Sequence, residues 1–64
     1  MPPKFRDIQK TIEEDGWVMK RQAGSHRHFV HPEKPGVVTL AGKPSAEPPD
    51  GTYKNILRQA GLKK

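Results

Sequence analysis

WVMKRQAGSHRHFVHPEKPGVVTLA, residues 17–41, is the stretch whose reading decides the fold. It holds three short runs carrying β-branched or aromatic residues, Trp17 to Gln22, His26 to His31 and Val37 to Ala41. Ala23-Gly24-Ser25 closes the first run, and Pro32-Glu33-Lys34-Pro35-Gly36 separates the second from the third. Connections this short return the chain alongside itself, so the spacing predicts a three-stranded antiparallel meander.

Outward from the meander, both flanks read as helices. From Lys4 to Asp15 the apolar residues Phe5, Ile8 and Ile12 recur at intervals of three and four, with polar residues between them. Pro2 and Pro3 stand where a helix begins, and Gly16 where one ends. On the other side, Gly42 to Gly51 holds Pro44, Pro48 and Pro49, which excludes a helix interior or a central strand. Thr52 can then cap a helix from Tyr53 to Ala60 with Tyr53, Ile56, Leu57 and Ala60 on one face. Gly61 followed by Leu62 reads as a left-handed helix end with its hydrophobic contact.

The predicted order is therefore α-β-β-β-α. One open sheet and two apolar helical stripes are satisfied together when both helices cover the same sheet face, giving a two-layer α+β domain spanning residues 1–64. Phe5, Ile8, Ile12, Trp17, Met19, Val30, Val38, Leu40, Ile56 and Leu57 are expected to fill the layer between them.

That layer has to be thin. Three Leu, three Ile, four Val and two Phe make 12 of 64 residues, close to the composition at which chains stop folding. A domain with so little apolar material has no deep cavity to spare, so any functional site lies on its surface. Lys and Arg number 12 against 7 acidic residues, for a net charge of +5. Such a balance points to a polyanion, nucleic acid first and an acidic protein second. The absence of cysteine excludes disulfides and thiolate metal sites. With no long apolar run and no apolar leader at the amino terminus, a soluble cytoplasmic protein without membrane association is expected.

The densest polar cluster is Lys20-Arg21-Gln22-Ala23-Gly24-Ser25-His26-Arg27-His28, astride the first turn. Lys20, Arg21 and Arg27 beside exposed Gly24 and Ser25 amides can cradle a phosphate; the alternative is a solvated hairpin tip. His26 and His28 share one face of an extended strand, and His31 takes the other. Imidazole exchanges a proton near neutrality, and RNA carries its own nucleophile, the 2′-hydroxyl beside each phosphate. One positioned histidine with cationic support is thus a sufficient nuclease. Spacing does not choose between His26 and His28, and either can also stack on a base. The pair lacks the further ligands a metal needs, so no metal and no other cofactor is expected. Lys54 and Arg58, one helical turn apart, offer a second basic pair.

Gly16-Trp17, Arg21-Gln22-Ala23-Gly24-Ser25-His26, Val37-Val38-Thr39-Leu40 and Gly51-Thr52-Tyr53-Lys54-Asn55-Ile56-Leu57-Arg58-Gln59-Ala60-Gly61-Leu62 together resemble the HicA toxins, also called YcfA-like proteins. The resemblance runs from Gly16 to Leu62. It implies a fold like the double-stranded-RNA-binding domain, and a toxin that cleaves messenger RNA without a metal and is restrained by a HicB antitoxin. It further implies that the catalytic residue is the histidine of Gly-Ser-His, here His26; the polar cluster around it then makes Lys20, Arg21, Gly24, Ser25, Arg27 and His28 the residues expected to contact the substrate. Tyr53 stands where the family usually has leucine, and Leu40-Ala41-Gly42-Lys43 replaces a histidine-bearing stretch found after the third strand in many members. A non-catalytic module that blocks translation by occupying RNA, and a basic surface that only docks an acidic protein, are the other functions this charge pattern serves.

Overall fold

The computed structural model describes residues 3–62. Its elements are α1 (Phe5–Glu14), β1 (Val18–Ala23), β2 (His26–Val30), β3 (Val38–Ala41) and α2 (Asp50–Gln59). The α-β-β-β-α order and the antiparallel sheet agree with the pattern reading, the strands lying in the order β1-β2-β3.

The two helices end in the same way. After α1, Gly16 donates to the Glu13 carbonyl and Trp17 to that of Ile12; after α2, Gly61 donates to Arg58 and Leu62 to Leu57. Both glycines have positive φ, so each terminus is a Schellman motif that satisfies otherwise unpaired carbonyls. The start of α2 differs from expectation. Pro49 rather than Thr52 precedes the helix, and Tyr53 donates to the Pro49 carbonyl to close its first turn. Asp50 in that turn suits the positive end of the helix dipole and pairs with Lys54 at 3.1 Å, which offsets part of the cost of Gly51.

Phe5, Ile8 and Ile12 from α1, Trp17, Phe29, Val38 and Leu40 from the sheet and its approach, and Ile56 and Ala60 from α2 form one buried cluster. Both helices therefore cover one face of the sheet. Three expected core residues lie elsewhere: Met19 is exposed, and Val30 and Leu57 are only half-buried. The reason for Val30 is the period-2 alternation of a strand, which admits only one of two adjacent apolar residues to the core. Phe29, with the larger apolar surface, takes the inner face.

A polar cluster ties the ends of the two helices together. Lys34 Nζ donates to Asp15 Oδ2 at 2.5 Å and to the Ala60 carbonyl at 3.0 Å, and Trp17 Nε1 donates to the same carbonyl at 3.3 Å. The hydrogen bond from Lys34 is the main influence holding the Asp15 carboxyl below its ordinary pKa, against a smaller opposing effect of desolvation. A lowered carboxyl pKa stabilises the fold above the unfolded-state value of about 3.9, and that contribution disappears as pH falls through the folded-state value. Asp15→Asn is accordingly expected to lower the urea midpoint at neutral pH and to converge on wild type as pH falls through the lowered folded-state value. Urea titrations from neutral to strongly acidic pH check this; a constant difference at every pH would contradict it.

Candidate nucleic-acid interface

Ala23 pairs with His26 across a two-residue turn made by Gly24 and Ser25. Gly24 has φ 61°, which suits the first central position of the tight turns that join twisted strands. The turn is further held by Gln22 Nε2 donating to the Gly24 carbonyl at 3.3 Å and by Gly42 N donating to the Ser25 carbonyl at 3.2 Å.

The register of β1 against β2 contains a slip. Met19 pairs with Phe29 and Arg21 with His28, so Lys20 is an extra residue on β1. In an unbroken strand Met19 and Arg21 would share a face. The bulge instead leaves Met19 on the helix side and turns Arg21 to the uncovered side. Directly paired residues share a face, so the pairings sort the sheet into two surfaces. Toward the helices lie Phe29 with Val38, and Arg27 with Leu40. On the uncovered side Arg21, His28 and Thr39 form one row across the three strands, and Ala23, His26 and Ala41 form the next.

The candidate residues thus divide. Arg21, His26 and His28 share the uncovered face, with Lys20 exposed at its edge and Gly24 and Ser25 at its end. Arg27 is on the opposite face. It is 6% exposed, its Nη2 donates to the Gly42 carbonyl at 2.6 Å, and its Nε has no partner among the described residues. Sequence reading grouped Arg27 with the phosphate-binding cations because it lies beside the Gly24-Ser25 turn, but adjacent strand residues point to opposite faces, so Arg27 and His26 part. Where the chain puts it, its guanidinium holds the carbonyl of Gly42, the residue whose N–H holds the turn beside His26.

Two features of the site had no sequence signal. The bulge at Lys20 is set by pairing with β2, and Thr39 becomes relevant only because β3 brings it to His28, with Thr39 Oγ1 3.0 Å from His28 Nδ1. His26 itself is exposed between the small side chains of Ala23 and Ala41, and no described residue hydrogen-bonds its ring. That leaves room around the imidazole for a bulky substrate. His31 is used differently: its Nε2 lies 2.8 Å from the Asp15 carbonyl, and its ring meets Trp17 edge-on at 5.3 Å. Among the described residues no three His, Cys, Asp or Glu side chains are grouped for a metal ion, and no helix is long and apolar enough to cross a membrane.

The structure therefore defines a small basic α+β protein with a histidine-bearing open sheet face. Residues 5–62 match the family model described as HicA toxin of bacterial toxin–antitoxin. The chain belongs to the HicA toxin family, and its role is that of a toxin paired with an antitoxin. Comparison with curated proteins finds no match.

Proposed function

We propose that the chain, acting as a single domain in the cytoplasm, is a metal-independent endoribonuclease that cuts messenger RNA and is held in check by a HicB-like antitoxin. His26 takes the proton from a 2′-hydroxyl, and the oxygen attacks the neighbouring phosphate. Arg21 and Lys20 supply positive charge to the phosphate, Gly24 and Ser25 shape the turn that carries His26, and His28 lies against the same substrate. Arg27 serves the site from the far side, through Gly42. The observation that carries this reading is the exposed, unengaged His26 ring on the same uncovered face as Arg21.

RNA needs no metal for this reaction, because its nucleophile is internal. The expected result is that purified protein cuts labelled RNA in the presence of chelator, leaving ends with a 2′,3′-cyclic phosphate. His26→Ala should reduce cleavage on the order of 10²–10⁴-fold and relieve growth arrest, with an unchanged melting temperature. A His26→Ala protein as toxic as wild type would overturn the proposal. RNA that is shifted in a gel but never cut would favour inhibition by occupancy.

A further inference from the structure

The three histidines differ in what their ring nitrogens can do. His31 Nδ1 accepts from the backbone N–H groups of Glu33 at 2.9 Å and Lys34 at 3.1 Å. Neither donor can accept in return, so a proton on that nitrogen would break both bonds. His28 Nδ1 instead faces the hydroxyl of Thr39 at 3.0 Å, and a hydroxyl both donates and accepts. Thr39 can hold the His28 ring whether or not Nδ1 carries a proton, while no described residue takes Nε2. A group that must cycle between protonation states without losing its orientation requires such a partner.

His28 also stands at a suitable distance from His26. Two residues along a strand separate side chains on one face by about 6.6 Å. In an in-line displacement at phosphorus, a base on the 2′-oxygen and an acid on the 5′-oxygen are roughly 6–9 Å apart, given hydrogen-bond reach at each end. The groups facing His28 are Arg21 opposite it on β1, the non-titrating Thr39 opposite it on β3, and His26 beside it on β2.

Resting on the reading of this face as an RNA-cleaving site, we propose that His28 is a second catalytic residue, the general acid, with Thr39 as its positioning residue. His26 accepts the 2′-hydroxyl proton, and the freed electron pair on the 2′-oxygen forms the new bond to phosphorus. The bond from phosphorus to the 5′-oxygen breaks, its electron pair stays on that oxygen, and the His28 imidazolium supplies the proton. The products are a 2′,3′-cyclic phosphate and a 5′-hydroxyl, with no water consumed. His26 ends protonated and His28 neutral, and solvent restores both before the next turnover.

A leaving group that needs no proton separates the acid role from binding or structure. Two short oligonucleotides, each with a single ribonucleotide linkage, are cleaved across a range of pH; in one, sulfur replaces the bridging 5′-oxygen. His28→Gln should slow the oxygen substrate on the order of 10²–10⁴-fold and remove the fall in rate at high pH, which reports a required protonated acid. The same variant should cut the sulfur substrate within roughly tenfold of wild type. His26→Ala should remain slow on both. Thr39→Val should slow the oxygen substrate by roughly tenfold through loss of ring orientation, with Thr39→Ser restoring it. Melting curves and binding of a 2′-deoxy analogue, both unchanged in His28→Gln, exclude misfolding and lost affinity as causes.

A His28→Gln protein that cuts the oxygen substrate at the wild-type rate with both pH limbs intact overturns the proposal and leaves the His26 reading standing. Equal slowing on both substrates also overturns it. If wild type and His26→Ala are equally inert on both, the underlying nuclease reading fails and this proposal with it.

Discussion

Trp17→Ala is expected to unfold the chain near physiological temperature. Trp17 is 2% exposed, lies in the cluster that joins both helices to the sheet, and donates its ring N–H to the carbonyl of Ala60, the residue that ends α2. Its backbone N–H also completes the end of α1. Removing a buried tryptophan side chain costs about 3–5 kcal/mol. A chain of this length has on the order of 3–10 kcal/mol to lose. Trp17→Phe keeps much of the buried surface, loses only the indole hydrogen bond and part of the ring, and should remain folded. Circular dichroism against urea reads both variants. A Trp17→Ala midpoint equal to wild type would mean that the two helices do not depend on this residue for docking.

Gly42→Ala carries the second large effect, and through a different cause. A β-carbon at this position would sit 2.8 Å from Phe5 Cδ2 and 3.0 Å from Cζ, with Cε2 closer still. Phe5 cannot swing aside: its ring is buried, and its N–H donates to the Ala46 carbonyl at the start of α1. Overpacking of this kind costs about 1–3 kcal/mol, which for a domain of this size lowers the melting temperature by several degrees for each kcal/mol. The same residue donates its N–H to Ser25 and accepts from Arg27 at its carbonyl, so RNA cleavage should fall together with stability. A smaller ring-side partner should relieve the clash, making Gly42→Ala cost less in a Phe5→Leu background than in wild type. Gly51→Ala, where a β-carbon meets nothing within 4 Å, provides the contrast and should be neutral or slightly stabilising. Equal costs for Gly42→Ala in both backgrounds would show that Phe5 is not the obstacle.

The residues that were misplaced from sequence share one feature, adjacency. Phe29 and Val30 are both apolar and neighbours, as are Arg27 and His28 among polar residues, and alternation alone does not say which of each pair faces inward. Phe29 facing inward carries Arg27 with it, and the choice of one face sets the whole strand. In β1 the bulge at Lys20 interrupts the alternation, so counting by twos from Met19 does not give the face of Arg21, which the sequence reading placed by its nearness to the turn. The start of α2 was hidden by Gly51, an expected breaker that the Asp50 turn accommodates.

The sequence by itself determined the order of elements, because helical and strand periods, turn residues and helix-ending glycines are local properties of neighbouring residues. It also determined the basic character of the protein, the resemblance carried by its motifs and the place of the Gly24-Ser25 turn. Only the tertiary structure decided which histidines share an uncovered face with Arg21, that Thr39 reaches His28, that Arg27 is buried behind Gly42, and that Lys34 joins the ends of both helices. These depend on strand register and on contacts between residues far apart in the chain, and a single residue of slip exchanges one face of a strand for the other.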